Sequence, residues 1–343
     1  MIRMVRVAIN GFGRIGRALL RASIHDPGVE IVAINDLGDL ENLAYLLRYD
    51  SVYREFPGQV SVDQGQLVIG VKKIAVLSEK DPTKLPWKDL QIDVAVESTG
   101  VFDSFEKASA HITAGAKKVV ITAPVKDELP NAATVLVGVN EEKLKSCQIT
   151  SNASCTTNSA SPLIAILDEA LGIEKALLNT VHAYTATQSI VDSPVRGEDK
   201  RRGRAAAQNI VPSSTGAAIA VTKAYPALEG RFDGIAMRVP VVAGSISDIT
   251  FIAKRATSAE EVNGFLERAA GEPRWKGIFS TTREPLVSGD IIGDQHGSIA
   301  DLSMTRVVGN LVKVLAWYDN EMGYAHTLLR HIKAAAGVNG IIR

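Results

Sequence analysis

The pattern of apolar and polar positions changes character about halfway along the chain. In the first part, short β-branched runs alternate with amphipathic stretches. "VRVAIN" (5–10), "EIVAIND" (30–36), "IDVAVEST" (92–99), "KKVVIT" (117–122) and "TVLVGV" (134–139) are continuous apolar segments of strand length. Runs of this kind suit parallel strands covered on both faces. Between them, "GRIGRALLRASIHD" and "LENLAYLLRYD" (40–50) carry apolar residues at helical spacing. "VSVDQGQLVIGVKKIAVLS" (60–78) alternates around turn residues and predicts an antiparallel insertion. "CQITSNAS" adds a last short strand.

Beyond Cys155 the texture differs. "PLIAILDEALG" (162–172) predicts a helix that stops at Gly172, and Pro162 predicts an irregular first turn if the helix starts at the cysteine. "KALLNTVHAYT" (175–185), "GIAMRVPVV", "SISDITFIAKR" and "NLVKVLAWYDNE" (310–321) are strands, the middle two reading as longer antiparallel ones. Ser258 with Glu261 forms a capping-box pattern ahead of "AEEVNGFLERAAG". "GYAHTLLRHIKAAAG" (323–337) closes the chain as a helix. There is no internal repeat, low-complexity tract or linker.

Composition narrows the classes. A chain of 343 residues has room for two ordinary domains. With 46% hydrophobic and 22% charged residues, the composition is that of soluble globular proteins and argues against disorder. Lys plus Arg and Asp plus Glu both number 38, so the net charge is zero and gives nucleic acid no general attraction. Cys147 and Cys155 are the only cysteines, too few for a disulfide framework and wrongly spaced for a metal pair. The six histidines show no ligand spacing, so no metal is expected. The start reads as a strand rather than a signal peptide, and no apolar run reaches membrane-span length. A cytoplasmic, soluble protein is expected.

"NGFGRIG" places Gly11, Gly13 and Gly16 in GxGxxG spacing. The pattern is weak alone, but here it follows a strand and opens a helix, with Asp36 at the end of the next strand. Such glycines let backbone N–H groups approach a pyrophosphate, and the carboxylate accepts from ribose hydroxyls and repels a 2′-phosphate. NAD is therefore expected over NADP. The fold class expected is α/β: a Rossmann-type doubly wound parallel sheet over 1–154, then a second α+β catalytic domain built on an antiparallel sheet over 155–320. The C-terminal helix, 321–343, is expected to pack back on the first.

Cys155, in "SNASCTTN", sits at a strand-to-helix junction among hydroxyl and amide side chains. A helix N-terminus is expected to lower its pKa and raise its thiolate fraction. Cys147 lacks such company and reads as a buried, inert residue. His182 ends the strand "LLNTVHAYT" near Tyr184, Thr185, Thr187 and Gln188, and is the best candidate for a partner base facing a site between the domains. "VPSSTGAAIAV" places Ser213, Ser214, Thr215 and Gly216 before an apolar helix, where an anion cradle and a plain cap are equally open readings. Arg238, between "GIAM" and "VP", needs a buried counter-charge, and a bound phosphate would supply it.

Together "INGFGRIGR", "SNASCTTN", "VHAYTATQ", "RAAAQNIVPSSTGAA", "RVP" and "WYDNEMGY" resemble the phosphorylating glyceraldehyde-3-phosphate dehydrogenase family along essentially the whole chain. The resemblance implies Cys155 as nucleophile and His182 as the base that activates it. It implies Gly13, Arg14, Ile15 and Asp36 as NAD contacts, Thr122 near the nicotinamide, and Asn320 on its carboxamide. It implies Thr185 and Arg238 as binders of the substrate phosphate. Ser154, Thr156, Thr215 and Gly216 would cradle inorganic phosphate, with Arg202 the nearest arginine. Leu37 and Pro194 follow the NAD-preferring pattern. The loop near 184–207 resembles a segment packed between subunits of a homotetramer. Two departures stand out: Ser159 where many members have a second cysteine, and "VPVVAGSIS" after Arg238. The competing readings are an erythrose-4-phosphate dehydrogenase, the semialdehyde and acyl-phosphate dehydrogenases, and a non-catalytic NAD- or RNA-binding scaffold. No nucleic acid is expected as primary ligand, and no membrane.

Overall fold

The structure, a computed structural model, describes residues 4–195 and 199–337. The expected helix end at 338–343, the first three residues, and positions 196–198 of the long loop lie outside them. The chain divides into two compact units. One comprises Met1–Val137, Glu141–Ala153 and Leu328–Arg343, the other Gly138–Asn140 and Ser154–Thr327.

The first unit is built on a nine-stranded sheet. Its order is Ala132–Thr134, Ile149–Ser151, Lys118–Ile121, Val94–Glu97, Val5–Asn10, Val29–Asn35, Lys72–Leu77, Gln66–Ile69 and Val60–Asp63. All neighbours up to Lys72–Leu77 pair in parallel, and the last two strands pair antiparallel. The predicted insertion is therefore an extension of the sheet itself. Val5–Asn10 lies between the second strand and Val94–Glu97, where the chain order reverses, so ligand-binding groups gather at its C-terminal end. Apolar side chains of the strands, including Val7, Ile9, Val94, Val96 and Val119, are fully buried, as a sheet covered on both faces requires.

Two local expectations fail here. The predicted strand 134–139 lies upstream, at Ala132–Thr134. Its partner Ile149–Ser151 is only three residues long, and the pairing runs out with Val135 N donating to Ser151 O at 2.9 Å. The predicted helix 40–50 ends at Arg48. The Asp50 carboxylate there accepts from the Val52 and Tyr53 N–H groups at 2.8 and 3.0 Å, and this turn competes with a further helical one.

The second unit carries an eight-stranded sheet, in order Val211–Ser214, Phe232–Val239, Ile173–Ala183, Ser245–Ala253, Leu311–Tyr318, Ser298–Asp301 and Phe279–Thr282, with Arg306–Val308 paired to Leu311–Tyr318. The sheet is mainly antiparallel, with two parallel pairs. One of these sets Ile173–Ala183 beside Phe232–Val239 and brings His182 opposite Arg238. The helix Cys155–Leu171 passes through Pro162 without interruption, against the expected irregular start. Ser258 caps Ala259–Ala270 by accepting from Glu261 N, but the Glu261 carboxylate bonds Arg255 and Thr257 instead of completing the box.

His331, on the helix Met322–Ala335, is wholly buried in the first unit. Its ring nitrogens lie 2.7 Å from Thr150 Oγ1 and 3.1 Å from Asn152 Oδ1. Burial holds its pKa down at about 3, against 6.5 for the free residue. The unfolded chain therefore takes up a proton near pH 6.5 that the folded chain refuses. The stability this histidine allows is complete above about pH 6.5 and is lost progressively as pH falls toward 3. His331→Gln is expected to flatten the fall in melting temperature between pH 6.5 and 4; an unaltered slope would contradict the assignment.

Candidate active site

In the first unit, the chain leaves Val5–Asn10 through Gly11–Phe12–Gly13 and enters the helix Arg14–Ser23. Gly11 has φ +96°, and a Cβ there would lie 2.6 Å from Thr99 N. A Cβ on Gly16 would meet Gly11 O at 2.3 Å, so helix and loop are in backbone contact. A Cβ on Gly13 would meet nothing within 4 Å. That open side, with a helix that has neither a side-chain cap nor an acidic residue in its first turn, fits an anionic pyrophosphate. Asp36 Oδ2 accepts from Phe12 N at 2.6 Å and Oδ1 from Gly38 N at 2.8 Å. The carboxylate thus stands at the loop, at the end of the second strand, as a ribose acceptor requires. Thr122 follows Lys118–Ile121, its N and Oγ1 both bonded to Glu97 O at 3.0 and 3.1 Å. The Arg14 guanidinium is drawn away to Asp50 at 2.5 Å, so its main chain, with that of half-buried Ile15, is what it offers at the loop.

The second unit holds the thiol. Ala153, the residue before that unit begins, adopts φ +53° although it is not glycine, a strain of about 1–3 kcal/mol of the kind stored at functional turns. Ser154 then caps the helix, its Oγ accepting from Thr157 N at 3.1 Å, and Cys155 is the first helical residue. Cys155 Sγ lies 3.3 Å from His182 Nε2. The other ring nitrogen, Nδ1, is 2.6 Å from Ala183 O and 2.5 Å from Arg238 Nη1. These two contacts exclude each other. The carbonyl needs Nδ1 protonated, whereas the guanidinium needs its lone pair. With a proton on Nδ1, Nε2 can accept from the thiol; with Arg238 donating to Nδ1, it cannot.

Charge follows the same geometry. His182 is 3% exposed, and burial together with Arg238 holds its pKa down at about 3. The expected lowering of the Cys155 pKa is not what its surroundings produce. Burial pushes the thiol up, opposed by the Arg238 charge, the Thr156 N–H and hydroxyl, and its own N–H. The helix terminus acts in the expected direction but is outweighed by desolvation. Arg238 is itself held down by burial and by the neighbouring charge of Arg202.

The phosphate-site residues fall into three groups. Thr185 Oγ1 lies 3.0 Å from Thr187 Oγ1, which accepts from Arg202 Nη1 at 3.1 Å. Arg202 therefore joins the Thr185 side, and its charge also acts on Arg238. Thr215 Oγ1 accepts from Ala217 N at 3.1 Å, and Gly216 caps Ala217–Ala224 with no side-chain bond. Ser213, by contrast, is buried and turned to Asp199 Oδ2 at 3.3 Å, outside any cradle. Thr156 is also turned inward, its hydroxyl 2.8 Å from Tyr318 OH. Asn320 Oδ1 accepts from Gly244 N at 3.1 Å and Ser245 Oγ at 3.0 Å, which leaves its amide nitrogen as the end able to meet a carboxamide oxygen. Thr187, Gln188, Arg202 and Ser214 border a cavity of about 1060 Å³, and Cys155 and His182 are not among its walls.

Residue-by-residue reading missed two supports. Tyr318 OH bridges Thr156 and Thr180 at 2.8 Å each, and its ring meets His182 edge-on at 6.0 Å. Its place in "WYDNEMGY" was the available signal. Ser159, at the departure noted above, is buried and 3.0 Å from Ser247 Oγ. Among the described residues, no group of three or more His, Cys, Asp or Glu is placed to hold a metal.

A glycine-loop dinucleotide unit joined to a unit with a thiol–imidazole pair and paired arginines defines the class: a nicotinamide-dependent dehydrogenase with a cysteine at its centre. Comparison narrows it. The sequence model "Glyceraldehyde 3-phosphate dehydrogenase, NAD binding domain" matches residues 5–105, and that of the C-terminal domain matches 154–320. Curated proteins named glyceraldehyde-3-phosphate dehydrogenase are similar over nearly the full length. That of Thermotoga maritima is 50% identical over 95% of this chain and 97% of its own, and that of Clostridium acetobutylicum 46% identical over 95% and 97%. The enzyme numbered 1 of Streptomyces avermitilis is 48% identical over 95% and 96%. The chain belongs to the glyceraldehyde-3-phosphate dehydrogenase family, and its cofactor is NAD.

Arg238→Leu removes the cation that draws the thiol down and competes for Nδ1. The Cys155 pKa is expected to rise further and the His182 pKa to climb from its low value. Alkylation of Cys155 by iodoacetamide should then shift toward higher pH by about one unit. A profile superimposable on the wild type would show that Arg238 does not govern the pair.

Proposed function

We propose that the chain oxidises D-glyceraldehyde 3-phosphate with NAD and inorganic phosphate to 1,3-bisphosphoglycerate, through a thiohemiacetal and then a thioester on Cys155. The contact between Cys155 Sγ and His182 Nε2 carries this reading. The substrate phosphate is bound by Thr185 and Arg238, with Arg202 adding charge. An anion there draws Arg238 off Nδ1 and lets the ring pass from its Nε2–H to its Nδ1–H tautomer, in which Nδ1 donates to Ala183 O and Nε2 is free to accept. The thiol proton passes to Nε2 as sulfur attacks the aldehyde carbon, which creates no net charge in the buried pair. The Cys155 N–H and the imidazolium stabilise the oxyanion. The imidazolium then returns its proton to that oxyanion, giving the thiohemiacetal hydroxyl. The neutral ring takes this proton back as the C–H hydride leaves and the carbonyl re-forms as the thioester. When bound, NAD supplies the hydride acceptor, with Gly11, Gly13, Arg14, Ile15, Gly16 and Asp36 holding its pyrophosphate and adenosine ribose, and Thr122 and Asn320 its nicotinamide end. The thioester stays reactive until phosphate, held by Ser154, the Thr156 main chain, Thr215 and Gly216, attacks it.

Cys155→Ser should abolish NADH formation while NAD affinity persists, and His182→Asn should lower kcat by about 10²–10⁴. NADH formation from glyceraldehyde 3-phosphate should require phosphate or arsenate for sustained turnover. Preference for erythrose 4-phosphate, or oxidation indifferent to phosphate, would overturn the reading.

We further propose a homotetramer working in the cytoplasm. Leu177, Ile235 and Leu311, on three strands of the second sheet, are exposed, an apolar face with Lys313 and Asp248 paired on it at 2.5 Å. No helix among the described residues is long and apolar enough to cross a membrane. Light scattering should return four times the chain mass, and a monomer would reject the assembly.

A further inference from the structure

A buried carboxylate at the C-terminal end of the first sheet has no part in the chemistry above. Glu97 ends the strand Val94–Glu97 and is 2% exposed. An ionised carboxylate out of water is tolerated only where donors surround it. Glu97 Oε2 takes Asn10 Nδ2 at 2.6 Å and lies 3.0 Å from His111 Nε2, while Oε1 takes Thr99 N at 2.8 Å and the Thr99 hydroxyl. His111 is wholly buried, and its Nδ1 accepts from Trp87 Nε1 at 3.0 Å. An indole N–H only donates, so Nδ1 carries no proton. The ring is therefore the neutral Nε2–H tautomer, aimed at Glu97.

The chain of bonds leads to the glycine loop. Thr99 N is the atom that a Cβ on Gly11 would strike at 2.6 Å. Ser98 Oγ donates to Gly11 O at 2.6 Å and to Asn10 O at 3.0 Å. Residues 98 and 99 thus form the floor on which Gly11 rests at its positive φ, and Glu97 holds that floor from below. Asn10 extends the network sideways: its oxygen accepts from Asn35 Nδ2 at 2.7 Å, next to Asp36. A core sheet needing only stability would be served by apolar side chains here. The polar network instead runs from Trp87 through His111, Glu97 and Thr99 to the glycine loop, where a Cβ on Gly13 would meet nothing within 4 Å.

We infer that Glu97 and His111 are positioning residues for the dinucleotide. They hold the Ser98–Thr99 floor, and through it the Gly11–Gly13 backbone, at the height at which N–H groups meet the pyrophosphate. The inference rests on the reading of that loop as the NAD cradle. Its signature is a loss of NAD affinity separated from the aldehyde chemistry, because the network touches neither Cys155 nor its partners.

Glu97→Gln places an amide nitrogen against a donor. It should weaken NAD binding, measured by calorimetry on the free protein, by about tenfold. The aldehyde KM and the kcat at saturating NAD should hold. Thr99→Val, which keeps the shape and loses the hydroxyl, should weaken NAD binding several-fold, and Thr99→Ser should restore it; this pair decides the matter if Glu97→Gln fails to fold. Nitrogen-15 NMR should show His111 as the Nε2–H tautomer, with that assignment lost in Trp87→Phe. Unchanged NAD affinity in the variants, with only a lower melting temperature, would overturn the inference, as would a fall in kcat at saturating NAD. A wild-type protein that failed to bind NAD would overturn the reading of the loop instead.

Discussion

A sulfur and an imidazole nitrogen stand 3.3 Å apart, and burial resists a charge on either one taken alone. A thiolate formed by losing its proton to water would be an unpaired anion on a half-buried, partly desolvated sulfur, and an imidazolium formed by gaining one would be an unpaired cation on a buried ring. Passing the proton between them leaves the site's net charge unchanged. The pair is therefore built to act together. Arg238 acts on both members: it helps the sulfur ionise, and it occupies the nitrogen whose proton would orient the ring. An arginine in that position therefore sets the readiness of the pair.

The second unit delivers this geometry through backbone features that leave little latitude. The left-handed turn at Ala153 sets the direction in which the Cys155 helix begins. The parallel pairing of Ile173–Ala183 with Phe232–Val239 puts His182 and Arg238 side by side. Tyr318, on a third strand, ties the residue after the cysteine to the strand that carries the histidine. In the first unit the same logic is met with glycine: at Gly11 and Gly16 backbone touches backbone, and at Gly13 the loop is left open. Polar residues at the C-terminal ends of the parallel strands then hold the loop from beneath.

Much of this was legible in the residues. The glycine spacing followed by Asp36, the setting of Cys155 and the charge of Arg238 in an apolar strand each break a pattern that packing alone would favour. Each marked a residue that the structure brings into polar contact, Asp36 with Phe12 N, Cys155 with His182 and His182 with Arg238. Other features left no such trace. Nothing in "TVLVGV" distinguishes a strand from a buried loop, since both need apolar side chains. The helix 40–50 looked longer because the turn made by Asp50 is a local bond, invisible in periodicity. Ser213 looked like its neighbours Ser214 and Thr215, and only strand alternation turns it inward.

The sequence by itself determined which groups are present and their local state: an α/β beginning, a glycine loop able to take an anion, a thiol at a helix start, a histidine at a strand end. These follow from propensity, periodicity and spacing over a few residues. Only the tertiary structure decided how those groups act. The thiol pKa rises rather than falls because neighbours distant in sequence remove its water. Arg238 and Ala183 compete for one nitrogen because two strands pair in parallel. Glu97, unremarkable in "VAVEST", becomes the support of the glycine loop because Asn10, Thr99 and His111 converge on it. Desolvation and hydrogen-bond partnership depend on what surrounds an atom in space, and no short stretch of chain encodes that.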